Sequence, residues 1–231
     1  MPSISFYGDG IAYGNYPLDD HISWARMSPT PCAAIQAAAS GKFTTTDLTK
    51  PGIRYESYVT GVAPDGTEAI PGKGVGTTLA TALKTDPSAY IAIRAGINDV
   101  PATGIPSTAF ITNVITVVDA IVAKGKTPIL IGISGFSTYA MTVWNGWATD
   151  DANVAALGAK AQAYNEILRT IARQKNNLLF VDIKVTASGA LACGFSANTQ
   201  ASTKDGYTPQ PAYAATCSAE IARQIKSRYF P

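Results

Sequence analysis

Residues 90–99 read Tyr-Ile-Ala-Ile-Arg-Ala-Gly-Ile-Asn-Asp. The short apolar run Tyr90–Arg94 stops at a glycine followed by turn-forming polar residues, the pattern of a strand buried in a sheet and leading into a loop. Four other runs share that pattern: Ile4–Tyr7, Ile53–Val59, Thr127–Ile133 and Leu178–Asp182, each bounded by Gly, Pro, Asn or Asp. Between them lie helical periodicities. In Pro106–Lys124 the residues Phe110, Val114, Val117, Val118 and Ile121 fall on one face, and Gly125 stands where a helix cap belongs. Asn153–Gln174 repeats the spacing through Leu157, Ala161, Tyr164, Leu168 and Ile171, a shorter helix follows Gly76 through Leu83, and a last one covers Ala212–Tyr229. Strands alternating with helices predict an α/β fold of three layers, α/β/α, with a five-stranded parallel sheet of flavodoxin-like order. Ligand sites in such a fold lie at the carboxyl ends of the strands.

The chain has 231 residues, 46% of them apolar and 15% charged, enough for one well-buried core, and no linker or repeat divides it. A single domain over residues 1–231 is expected. Eighteen basic and 16 acidic residues are scattered, leaving a net charge of +2, so no phosphate-binding stripe points to nucleic acid. No run reaches the length of a membrane span, and the N-terminus lacks the basic and apolar regions of a signal peptide. Localisation stays open, with an extracellular or virion-associated place compatible. Cys32, Cys193 and Cys217 have no zinc-ligand spacing, and neither metal nor other cofactor is implied. Buried free thiols are the expectation for them, although Cys193 and Cys217 flank one loop-rich stretch and could pair in an oxidising compartment.

Three short blocks sit at the strand ends: Gly8-Asp9-Gly10, Gly96-Ile97-Asn98-Asp99 and Asp205-Gly206-Tyr207-Thr208-Pro209. In order and spacing they resemble the SGNH/GDSL hydrolases, esterases and lipases whose first block is Gly-Asp-Ser with a nucleophilic serine. In that family a glycine and the asparagine of Gly-x-Asn-Asp form the oxyanion hole, and a C-terminal Asp-x-x-His completes the triad. The resemblance implies oxyanion-hole roles for Gly76 and Asn98 and the acid position for Asp205. It also puts Gly10 at the nucleophile position and Thr208 at the histidine position, so that both reactive partners are replaced.

Serine attack needs a hydroxyl and an adjacent base to take its proton. Gly10 offers no hydroxyl, and threonine is no base near neutrality. Sequence therefore predicts a pseudoenzyme without an intact catalytic residue. His21, the sole histidine, reads as a surface or locally bonded residue, and Ser134 in Gly132-Ile133-Ser134-Gly135-Phe136 misses the nucleophile-elbow spacing.

Two of the three tryptophans, Trp144 and Trp147, lie on the segment after the fourth strand, and Tyr13, Tyr16 and Trp24 follow the first. Aromatic faces stack on sugar rings and also fill loop interiors. Tyr13, Trp144, Trp147 and Tyr207 are the candidate ligand-binding residues, and a carbohydrate or acylated glycan is the expected partner. The resemblance extends to phage tail or receptor-binding proteins, which would place the domain in a larger assembly. An active carbohydrate acylesterase with a non-standard nucleophile and a purely structural domain remain the alternatives.

Overall fold

The computed structural model describes residues 1–18, 23–100, 107–134, 151–176, 178–183 and 208–231. Its central sheet is built from β1 (Ser3–Gly8), β4 (Thr44–Thr49), β5 (Tyr90–Arg94), β6 (Thr127–Ile131) and β7 (Leu179–Val181). All neighbours pair in parallel, in the order β4-β1-β5-β6-β7. Counting only these strands, that is the expected flavodoxin-like order, with β1 at the centre of the reversal where ligands collect.

Alternation along the strands divides the core in two. Ile4, Phe6, Ala92, Ile129, Ile131 and Val181 face one side, where α2 (Pro31–Ala38) and the final helix α7 (Pro211–Tyr229) contribute Cys32, Ile35, Cys217, Ile221 and Ile225. Tyr7, Ile91, Ile93 and Leu130 face the other, covered by α3 (Tyr55–Thr60), α4 (Leu79–Ala82), α5 (Ser107–Val122) and α6 (Asp151–Gln174). The five apolar residues predicted to line one face of α5 are all buried. Phe110 stacks on Tyr164 of α6 with ring centroids 3.9 Å apart and meets Tyr55 of α3 edge-on at 5.4 Å, so one side chain joins three helices.

The expected second strand, Ile53–Val59, is instead mostly the helix α3. Its β-branched and aromatic residues suggested a strand, but Tyr55 and Tyr58 are both buried at a three-residue spacing, which only a helix presents to one side. Gly61 closes the helix in the left-handed region (φ 79°), donating its N–H to the Ser57 carbonyl at 2.8 Å. The strand that fills that sheet position is β4, Thr-Thr-Thr-Asp-Leu-Thr, a half-buried edge held by β-branched threonines without a clear apolar alternation.

A short helix, α1 (Gly10–Tyr13), and an antiparallel hairpin of β2 (Asn15–Pro17) and β3 (Trp24–Arg26) follow β1 and stand beside the carboxyl edge of the sheet. Cys32 is a buried free thiol, whereas Cys217 is disulfide-bonded, correcting the expectation of free thiols; its partner lies outside the described residues. No described helix is long and apolar enough to cross a membrane.

Candidate functional site

The end of β1 is fixed by close packing. A Cβ on Gly8 would lie 2.4 Å from the Ala12 Cβ and 2.5 Å from the Arg94 carbonyl oxygen, so only glycine lets β1 pass α1 and β5 there. Asp9 then caps α1, its carboxylate accepting from the N–H groups of Ile11 (3.0 Å) and Ala12 (3.3 Å). Its own N–H donates to the Arg94 carbonyl at 3.0 Å.

Asp9 and Arg94 are both buried and face each other electrostatically. Burial raises the Asp9 carboxyl to about 6, against the pull of Arg94 and the N–H donors of Ala12, Ile11 and Ile97. Burial likewise lowers the Arg94 guanidinium to about 10, with Asp9 opposing. Desolvation thus outweighs the attraction between the two groups, as it does for charges held in a dry interior. Arg94 also donates to the Cys217 sulfur at 3.3 Å, tying the sheet edge to α7.

After β5, Gly96 takes φ 118°, and a Cβ there would strike Ile133 Cδ1 at 2.6 Å. That turn delivers Asn98 and Asp99 to the start of α3. Asn98 Nδ2 donates to the Ile53 carbonyl at 3.1 Å, and Arg54 Nε donates back to the Asn98 carbonyl at 3.1 Å. Asp99 is fully buried; one oxygen accepts the Tyr55 N–H at 3.4 Å and the other has no partner among the described residues. Burial raises its carboxyl to about 7, with the Tyr55 N–H and Arg54 pulling down and Asp9 and Glu56 pushing up.

These loops surround a cavity of about 250 Å³ lined by Gly10, Ile11, Asn15, Trp24, Pro51, Gly52, Ile97, Asn98 and Thr208. Gly10, Asn98 and Thr208, far apart in the chain, line the same cavity. Among the described residues none of the lining side chains is ionisable. Gly76 does not line the cavity: its N–H donates to the Gly61 carbonyl at 3.0 Å, and its backbone packs on Gly61 at the far end of α3. Gly52, in the turn after β4, lines the cavity. The misplaced second strand concealed it, because a glycine after Thr49 looked like a strand boundary.

Of the aromatic candidates, Tyr13 stands behind the hairpin with the Arg26 guanidinium 3.9 Å above its ring, outside the cavity lining. Trp24 does line it. Ser134 is buried away from the cavity, at a strand end where Asn165 Oδ1 accepts the neighbouring Ile133 N–H at 2.7 Å and Asn165 Nδ2 donates to the Ile133 carbonyl at 2.9 Å. His21, Trp144, Trp147, Asp205 and Tyr207 lie outside the described residues. Among the described residues no group of three or more His, Cys, Asp or Glu could hold a metal ion.

This fold is that of the SGNH hydrolases. The model of the GDSL-like Lipase/Acylhydrolase family matches residues 6–213, and the chain belongs to that family. An aryl esterase from M. smegmatis is similar in structure over 98% of this chain and 99% of its own, with a TM-score of 0.68 at 13% identity. Est24, a carbohydrate acetylesterase from Sinorhizobium meliloti, is similar over 99% and 100%, with a TM-score of 0.70 at 11% identity. An active-site mutant of a family two carbohydrate esterase from Clostridium thermocellum, in complex with celluohexase, is similar over 99% of this chain and 64% of its own, with a TM-score of 0.62 at 12% identity. No curated protein matches the sequence.

Proposed function

We propose that this chain is a single SGNH-type domain that has lost ester hydrolysis and binds a neutral carbohydrate or acylated glycan at the former active site. The observation that carries the reading is the open cavity in which Gly10, Asn98 and Thr208 meet. A nucleophile position without a hydroxyl and a base position without an imidazole leave no route to acyl transfer by the family mechanism. Among the described residues the lining carries no charged side chain and includes the amides of Asn15 and Asn98, groups suited to a polar, neutral ligand. The names of two similar structures, a carbohydrate acetylesterase and a carbohydrate esterase, agree with that ligand class.

Two assays together test the reading. Hydrolysis of p-nitrophenyl acetate is expected at the buffer rate, and acetylated xylo-oligosaccharides are expected to give saturable calorimetric binding. Sustained turnover would return the acylesterase with an unorthodox nucleophile as the better account. Absence of both activities would leave a structural domain. The expectation of a phage tail or receptor-binding assembly gains no support from the described residues and forms no part of this reading.

A further inference from the structure

We infer that the β2–β3 hairpin is the sugar-binding arm of this site, with the Trp24 ring as the stacking platform and the Asn15 amide as the hydroxyl-reading group. The inference rests on the proposed binding function and assigns the side of the cavity on which the sugar ring lies.

Trp24 is 48% exposed, the only aromatic among the exposed large apolar side chains of the described residues, and it also lines the cavity. A flat, half-exposed apolar ring beside polar groups is the surface a pyranose face fits. Asn15 lines the same cavity, and no described residue hydrogen-bonds to its side-chain amide or to the Trp24 indole N–H. Donors and an acceptor are thus available at the edge of the ring.

The arm is braced. Arg26, two residues from Trp24, is bonded to Asp47 of β4 at 3.0 Å, donates through Nε to the Tyr13 carbonyl at 3.2 Å and lies over the Tyr13 ring. Met27 N–H donates to the Gly14 carbonyl at 2.8 Å, closing the base of the hairpin. These contacts hold the strand carrying Trp24 against both α1 and the sheet edge, so little ordering is needed on binding. They also pair the Arg26 guanidinium with the Asp47 carboxylate, so that this cation is not left free to hold an anionic ligand.

Volume bounds what the site takes. At about 250 Å³ the cavity falls below the ~300–1,000 Å³ of sites that enclose a drug-sized molecule, which suits a small substituent with its sugar ring on Trp24. An acetyl group directed at Gly10, with its sugar ring on Trp24, satisfies both constraints.

The test is calorimetric titration of the full chain with acetylated xylo-oligosaccharides and with the same oligosaccharides after saponification. Trp24→Ala is expected to weaken binding of the acetylated probe about 10-fold or more with an unchanged melting temperature, and Trp24→Phe to recover part of the loss. Asn15→Ala is expected to give a smaller loss, and Gly10→Leu, which fills the floor, to abolish preference for the acetylated over the saponified probe. Binding that survives Trp24→Ala but is lost on Gly10→Leu would overturn the hairpin assignment and spare the proposed function. Loss confined to Trp144→Ala or Trp147→Ala would overturn it too, by moving the platform to the segment after β6. Wild-type protein that binds neither probe would overturn the underlying function itself.

Discussion

The nearest atoms to the side-chain position of Gly10 are Cα and Cβ of Pro51, both 3.8 Å away, an ordinary van der Waals contact. Gly10 also lies outside the positive-φ region. Nothing local requires a glycine there, in contrast to Gly8 two residues earlier. Gly10→Ser is therefore expected to leave stability within about 1 kcal/mol of wild type, because a helix-starting serine loses little and the unfolded chain is stiffened. Gly8→Ala is expected to lose at least about 1–3 kcal/mol through overlap with Ala12 and the Arg94 carbonyl. Urea denaturation of the two variants side by side decides this, and equal losses would contradict the geometry.

Restoring chemistry is the sharper trial of the proposed inactivity. Gly10→Ser with Thr208→His puts a hydroxyl and an imidazole on the lining of one cavity, with Asp205 at the family's acid position. The double variant is expected to hydrolyse p-nitrophenyl acetate measurably above wild type, and either single variant to do much less. Adding Asn98→Ala to it is expected to lower the gained rate by about 10²–10³, the usual cost of an oxyanion donor. A gain indifferent to Asn98 would show that Asn98 is no such donor.

Two buried carboxyls give stability a distinctive pH dependence. Asp9 and Asp99 have an ordinary value of 3.8 and rise to about 6 and about 7 in the fold, chiefly through burial. A raised folded value means that the native state holds the proton more tightly. Their contribution is complete below about pH 4 and disappears as pH climbs through 6 and 7. Asp65 and Glu68 act oppositely: hydrogen bonds from Thr67, and from Gly72 and Gly74, lower them, and their contribution is lost on acidification. Chemical denaturation between pH 5 and 8 isolates the first pair, and Asp99→Asn is expected to flatten the decline in its upper part. An unchanged slope would mean that Asp99 does not titrate there.

Removal of one buried ion exposes the other. Arg94→Met is expected to push the Asp9 carboxyl further up, because Arg94 pulls it down, and to destabilise the fold more near pH 8, where either ionising or protonating that carboxyl is penalised, than at pH 5, where it already holds its proton. Asp9→Asn in the Arg94→Met background is expected to recover part of the loss at the higher pH, although the Asp9 cap on α1 is weakened as well. Denaturant midpoints of the four proteins at both pH values complete the cycle.

Tyr90–Arg94 and the helix after it were readable because their residues obey one period each and are punctuated by glycine. Ile53–Val59 was misread because seven residues with two tyrosines, a valine and an isoleucine fit a strand or a short helix equally, and burial of Tyr55 with Tyr58 arbitrates only in three dimensions. Thr44–Thr49 escaped notice since an edge strand need not alternate. The site followed the same division. Gly10, Asn98 and Thr208 could be found from the order of the blocks, each tied to a strand end or helix start. Gly52 and Asn15 had no such marker, since a turn glycine and an asparagine gain meaning only when β4 and the hairpin are brought beside α1. Arg94 belonged to the strand pattern, and its pairing with Asp9 was invisible without the parallel register of β1 and β5.

The paired bonds between Asn98 and the Ile53–Arg54 turn lash the loop after β5 to the loop after β4. A groove whose walls are fastened to each other stands ready before any guest arrives. Association should then proceed in one observable step, its rate rising in proportion to ligand concentration without a plateau, and tighter ligands should differ in how slowly they leave.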